Sequence, residues 1–302
     1  MQRTSVTLLS IVLVLGVGVA SAQPQGQNAA QAAEPTANAP IPAGAVVMIY
    51  RCEVKPGHSV AQQKAAAATS RAIAKAGGPN LLAMTALTGP SEVWFLVPYN
   101  SLTEVDKAYE AMAKTPAIVQ AELDQLNDLE GAHYNTMRSV LALYREDMSL
   151  DASFNVSPYR AMSVTTYRVR PGRTREFAEG AKIVMGAYKK LNVGLRIAGF
   201  QVLGGAPSGT FIFMRPIKTA SQLLPPDDVR KAYVEALGGQ EAIEKMEKGV
   251  GDIIVSSEDA IFTFSPKMSN VPASYASADP FWRVTPAMAK TELKKAVEPV
   301  KK

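Results

Sequence analysis

Residues 45–150 and 158–269 carry the same landmarks in the same order, about 115 to 124 positions apart. Cys52-Glu53-Val54-Lys55-Pro56-Gly57 opens the first stretch, and Tyr167-Arg168-Val169-Arg170-Pro171-Gly172 opens the second. Each is an apolar strand running into a basic residue and a Pro-Gly turn. The closing segments match as well. Leu141-Ala142-Leu143-Tyr144 before Met148-Ser149 is echoed by Ile261-Phe262-Thr263-Phe264 before Met268-Ser269. A duplication of this length constrains architecture before it constrains activity, because unrelated functions share folds and each function resides in its own site residues.

Within the first copy, Ala45 to Val54 reads as a strand stopped by Pro56-Gly57, and Ser59 stands where it would cap the alanine-rich helix that follows. Further strands are expected at Leu81 to Thr88, Val93 to Val97 and Ser139 to Arg145. A helix starts at the capping-box sequence Ser101-Leu102-Thr103-Glu104, breaks near Thr115-Pro116 and resumes to about Leu129. In the second copy Phe177, Ala181, Val184, Tyr188 and Leu191 recur at helical spacing, which places them on one buried face. Its second helical segment is interrupted at Gly238-Gly239, the place that answers Thr115-Pro116. Both copies therefore read βαββαβ, an α+β class made of two tandem ferredoxin-like units.

One strand decides how the units combine. Val93, Phe95 and Val97 alternate with Trp94 and Leu96, so both faces of that sheet are apolar, yet the helices of one unit cover a single face. Face-to-face packing of the two sheets about a pseudo-two-fold axis supplies the second cover. In this arrangement the chain resembles the dimeric α/β-barrel superfamily, as a tandem duplication of units similar to antibiotic-biosynthesis monooxygenases. The resemblance spans residues 45–269 and rests on element order and the repeat. It implies a site between a sheet and its helices, in a superfamily of cofactor-independent monooxygenases, haem-dependent enzymes and small binding modules.

Outside the repeat, Arg3, the apolar run Leu8 to Val19 and Ala20-Ser21-Ala22 form a leader pattern over residues 1–22, too short to span a bilayer. Residues 23–44 form a linker rich in Ala, Pro and Gln, residues 151–157 join the two units, and residues 270–302 form a C-terminal tail. Export to the periplasm or outside the cell, with no stable membrane anchor, is the expectation. Removal of Arg3 with the leader takes the formal charge from +5 to +4, and no basic stripe suggests nucleic acid as a partner. Cys52 is the sole cysteine, so the chain is held by apolar burial rather than an internal disulfide. The expected form is a monomer with a pseudo-dimeric core.

No convergent nucleophile, acid and base can be read. No Gly-x-Ser-x-Gly elbow or P-loop occurs, and Gly204-Gly205 reads as a hairpin turn. The leading expectation is a protein that binds a small apolar or aromatic molecule, lined by Tyr50, Trp94, Tyr134 and Tyr167, without a cofactor or metal. A second expectation is an oxygenase or haem-dependent enzyme of the same superfamily, with His133 as ligand or base and Arg138 or Arg51 holding an acidic group. A third is a structural module of the cell envelope. His133 aligns with Ile253 of the second copy, which favours a structural role, and His58 follows a turn expected to be solvated. Two histidines without Cys, Asp or Glu at ligand spacing argue against a preformed zinc centre. Trp94 is aligned with Phe211, and Arg138 with Glu258 as a pair across the pseudo-axis.

Export should remove residues 1–22 and leave Gln23 at the new N-terminus. Mass determination of the exported protein checks this, and retention of Leu8 to Val19 would contradict it.

Overall fold

The computed structural model describes residues 46–151, 155–224 and 226–283. The leader, the linker at 23–44 and the end of the tail from 284 lie outside them. Unit 1 runs β1 (Val46–Val54), α1 (Ser59–Lys75), β2 (Leu82–Ala86), β3 (Glu92–Tyr99), α2 (Leu102–Ala113), α3 (Ala117–Gly131) and β4 (Tyr134–Tyr144). Unit 2 repeats it with β5 (Ala161–Val169), α4 (Thr174–Leu191), β6 (Ala198–Gly204), β7 (Thr210–Ile217), α5 (Asp227–Ala236), α6 (Gln240–Ile253) and β8 (Ile254–Phe264). A short α7 (Ala273–Ala278) follows. All eight strands close into one antiparallel barrel in the order β1-β3-β2-β8-β5-β7-β6-β4. Each unit supplies four neighbouring strands, and β2–β8 and β4–β6 are the seams. This is the dimeric α/β-barrel architecture with both halves in one chain.

Strand alternation sorts the side chains into three cores. Trp94 and Leu96 join Val47, Ile49, Val140, Val164, Ile212 and Phe262 inside the barrel. Val93, Phe95 and Val97 face the helices of unit 1 together with Met48, Cys52 and Tyr134. Tyr167, Phe211 and Phe213 pack under α4 to α6 in unit 2. Both faces of β3 are thus buried, as its alternation requires.

Several local expectations shift. His58, not Ser59, occupies the position before α1 and makes no side-chain cap, while Ser101 caps α2 through its Oγ, which accepts from the Glu104 amide at 3.2 Å. Strand β4 begins at Tyr134, five residues before the expected Ser139, because its first half pairs with the end of β1 across a bulge between Glu53 and Val54. Trp94 pairs with Arg51, and Ile212 pairs with Thr166, so the counterpart of Trp94 is Ile212 rather than Phe211. The slip by one residue matters because it changes the face: Trp94 points into the barrel and Phe211 towards the helices.

The units are interlocked by their closing turns. After β4, the turn containing Met148 crosses into the helix–sheet core of unit 2. After β8, the turn containing Met268 crosses into that of unit 1. Each turn is anchored by a serine. Ser149 Oγ accepts the Gly199 amide of β6 at 2.9 Å, and Ser269 Oγ accepts the Ala83 amide of β2 at 2.9 Å. Gly199 is required by this approach, since a Cβ there would lie 2.7 Å from the Met148 carbonyl oxygen. The tail then seals one barrel end. Trp282 and Tyr275 enter the barrel core, and Trp282 Nε1 donates to the Ser157 carbonyl at 2.9 Å. Arg160 holds Asp279 at 2.6 Å and lies over the Phe281 ring. Val156, in the segment between the units, is also buried there.

An isolated unit loses both the opposing sheet and the methionine turn donated by its partner. Either half expressed alone is expected to self-associate through its exposed sheet face. Size-exclusion chromatography of residues 46–151 and 155–283 checks this, and a stable monomeric half would contradict the interlocked barrel.

Candidate functional site

A hollow lies in unit 2, between the outer face of its sheet and helices α4 and α6. It has a volume of about 190 Å³. Helix α4 contributes Glu176 and a stripe at helical spacing, Phe177, Gly180, Ala181, Val184 and Met185, and α6 contributes Met246, Gly249, Val250 and Ile253. The space exists because Gly180, Ala181 and Gly249 leave the facing helix surfaces without bulk. A Cβ added at either glycine would meet no atom within 4 Å. Tyr167, Phe213 and Thr165 form the sheet wall, and Phe177 packs against both Tyr167 and Phe213 with ring centroids 5.4 and 6.2 Å apart.

Polar chemistry at this hollow comes from Glu176 of α4, which is exposed and ion-paired with Arg173, from the Tyr167 hydroxyl, and from a cross-strand pair behind Thr165. Thr165 Oγ1 donates to Asp259 Oδ1 at 2.7 Å, joining β5 to β8. Partial burial raises the Asp259 pKa and Glu258 adds to the rise, while the bond from Thr165 opposes it. The Tyr167 hydroxyl is pushed up strongly by burial and further by Asp259, so it remains a neutral phenol. A pair of tyrosines is buried in the same layer. Tyr188 stacks on Tyr233 at 4.5 Å, and burial pushes the Tyr233 pKa up to about 12.

Unit 1 fills the corresponding space with polar side chains. The backbone bonds Gln62 N–His58 O and Phe177 N–Arg173 O match the helices, so Gln62 answers Phe177. The same spacing places Thr69 at Val184 and Ser70 at Met185, and Glu130 falls at Val250. Gln62 Nε2 donates to the Tyr134 hydroxyl at 2.8 Å, and that hydroxyl donates to Glu130 in a short bond. Burial raises the Glu130 pKa against the opposing bonds from Tyr134 and Thr69. Cys52 sits beside this network with its thiol pushed up to about 12 by burial and Glu130, which makes it unreactive as a thiolate.

The sequence-derived candidates therefore divide. Tyr167 lines the unit 2 hollow. Tyr134 belongs to the unit 1 network, and Tyr50 is half-buried on the same outer face of the unit 1 sheet. Trp94 is inside the barrel, donating through Nε1 to Glu92 at 2.6 Å, beneath the Arg51 guanidinium at 4.5 Å. Arg51 binds Glu92 at 3.1 Å and reaches Glu258 at 3.8 Å. Glu258 is thus partnered across the barrel mouth by Arg51 and not by Arg138, which is exposed and forms no ion pair among the described residues. His133 lies at the end of α3, half-buried, with its Nδ1 3.0 Å from the Nδ1 of His58. Desolvation, then His58 and Lys55, lowers its pKa. Gly180, Gly249, Thr165 and Asp259 were not singled out from the sequence. The unpaired helical glycines were the available signal for the first two, whereas the Thr165–Asp259 contact depends on strand register.

No described protein family matches the chain, and no curated protein matches it. Solved structures do. A crystal structure of an anthrone oxidase-like protein has 10% identity, covers 74% of this chain and 91% of its own, and has a TM-score of 0.50. A Fusobacterium nucleatum protein described as a monooxygenase has 13% identity over 73% of this chain and 92% of its own, with a TM-score of 0.49. Chlorite dismutase from Candidatus Nitrospira defluvii has 10% identity over 80% of this chain and 96% of its own, at 0.43. With the anthrone oxidase-like protein the shared property is the fold.

Haem does not suit the unit 2 hollow. Its volume is below the roughly 300 Å³ at which pockets for drug-sized ligands begin, and both histidines belong to unit 1, which leaves Tyr167, Met185 and Met246 as the lining side chains of a kind that ligates haem iron. Among the described residues no group of three or more His, Cys, Asp and Glu is placed to hold a metal.

The raised Glu130 pKa has a stability consequence. A carboxyl whose folded pKa lies above its unfolded value stabilises the fold below the unfolded value, and this contribution is lost as pH rises through the folded one. Glu130→Gln keeps an acceptor for Tyr134 and removes the charge. The variant should gain stability relative to the parent as pH rises from about 4 towards 7. Paired denaturation curves across that range check the sign, which a salt-bridged Glu130 would reverse.

Proposed function

We propose that this protein is exported and binds a small apolar or aromatic molecule in the hollow between the unit 2 sheet and helices α4 and α6. The observation that carries the reading is the asymmetry between two copies of one fold. Where unit 1 closes the helix–sheet layer with Gln62, Glu130 and Tyr134, unit 2 keeps an apolar hollow walled by Tyr167, Phe177, Met185 and Met246. Apart from Thr165, the Tyr167 hydroxyl and the exposed, Arg173-paired Glu176, the lining is apolar, which favours an uncharged ligand because an ion among those side chains would lose hydration without a partner. Burial of apolar surface supplies the affinity, and the Tyr167 hydroxyl and the Thr165–Asp259 pair supply a polar edge that orients the ligand. The leader pattern at residues 1–22 supports export, and among the described residues no helix is long and apolar enough to cross a membrane.

The Thr165–Asp259 pair also favours a second reading, a cofactor-independent oxygenase of the same fold. Asp259 would then accept a proton from a bound substrate at the edge of the hollow, its raised pKa bringing it closer to that role.

Gly180→Leu separates binding from folding. It places a side chain in open space and improves helix propensity by up to about 1 kcal/mol, so the variant should fold at least as well as the parent while losing ligand retention. Mass spectrometry of small molecules retained by parent and variant checks this, and undiminished retention in Gly180→Leu would place the site elsewhere. His133→Leu should keep the ligand, since His133 lies in unit 1. Asp259→Asn distinguishes the readings: ligand-dependent oxygen uptake present in the parent and lost in this variant supports the oxygenase.

A further inference from the structure

We propose that His58 and His133 form a two-imidazole chelating site for one divalent late-transition-metal ion, with Cu²⁺ the best match. The two residues are 75 positions apart, and the fold brings their Nδ1 atoms to 3.0 Å. At that separation one nitrogen carries the shared hydrogen and the other offers a lone pair, so at least one ring is neutral. With metal–nitrogen bonds of about 2.0–2.1 Å, nitrogens this far apart subtend roughly 90–100° at the metal. That is the angle between adjacent ligands in a tetragonal complex, which Cu²⁺ and Ni²⁺ adopt, rather than the wider tetrahedral angle of a structural zinc centre. Both rings are only half-buried, so water completes the coordination. The absence of Cys, Asp and Glu at ligand spacing, which argues against a four-ligand zinc centre, does not bear on a site of this kind.

Backbone bonds hold the two residues in one frame. The Lys55 amide donates to the His133 carbonyl at 2.9 Å, and the His58 amide donates to the Lys55 carbonyl at 3.0 Å. Between them Gly57, at φ +79°, turns the chain back so that His58 faces the end of α3. The fold itself has no need of the pair, because the matching positions of unit 2 hold Arg173 and Ile253. Binding needs a turn of the two rings that aims both Nδ1 lone pairs at one ion while keeping the nitrogens near their present separation; in a doubly neutral pair the Nδ1–H ring changes tautomer to Nε2–H by exchange with solvent, with no net proton release, and an imidazolium partner would release its Nδ1 proton to solvent.

The chain has two histidines in all, so imidazole binding can be assigned without ambiguity. Isothermal titration of the mature protein with Cu²⁺ buffered by glycine, together with electron paramagnetic resonance of the complex, tests the site. The expected result is one ion per chain bound through two equatorial imidazole nitrogens, with Ni²⁺ weaker than Cu²⁺. His58→Ala and His133→Ala should each lower the affinity by at least about tenfold and leave a one-imidazole spectrum, with thermal unfolding of the metal-free variants confirming an intact fold. Two independent ions per chain, or an affinity unchanged by either substitution, would overturn the proposal.

Discussion

The structure depends on one requirement: a sheet that is apolar on both faces needs two covers. Helices cover the outer face of each unit, and only the sheet of the other unit is available for the inner face. Barrel closure meets that requirement for all eight strands, and it removes the sheet edges that would otherwise be open to pairing with other chains. The closing turns then extend the dependence outwards. Met148 and Met268 are fully buried in the helix–sheet core of the unit to which they do not belong in sequence. A gap left by either methionine would therefore open in the neighbouring unit, which couples the two outer layers as well as the barrel.

Tandem fusion frees the two halves from identity. In a symmetric dimer a cavity in one subunit is a cavity in both, whereas here each layer has its own solution. Gln62, Tyr134 and Glu130 satisfy one another in unit 1, so that layer is closed by hydrogen bonds in a low-dielectric setting. Phe177, Ile254 and Val250 stand at those places in unit 2 and make no such bonds. Gly180 and Gly249 then leave the space open rather than filled. The barrel interior shows the same divergence, with Trp94 under Arg51 on one side and Ile212 beside Thr166 on the other.

The architecture was legible because the features that dictate it are local or periodic. The alternation of Val93 to Val97, the helical stripe from Phe177 to Leu191 and the two Pro-Gly turns each state their own geometry. Contacts made by register were less so. Aligning Trp94 with Phe211 instead of Ile212 is a displacement of one residue, and in a strand that is enough to exchange inside for outside. The Arg51–Glu258 contact across the barrel mouth and the Thr165–Asp259 pair depend on strand neighbours that a linear reading does not rank. His58 and His133 read as separate residues because nothing within either segment records the Lys55 bonds that join them.

The proposed ligand would gain most from the apolar walls of the hollow. The hollow is open to solvent beside the exposed Glu176, so its cost is that of apolar wall left wet rather than of an unfilled core void. Water recovers little of this, because it needs two to four polar partners, and the walls here are built mainly from Phe177, Val184, Met185, Val250 and Ile253. An apolar molecule recovers it through contact with those side chains and displaces any poorly bonded water. The glycines that hold the space open thus leave unit 2 less well packed than unit 1, and the proposed ligand would restore the packing they omit.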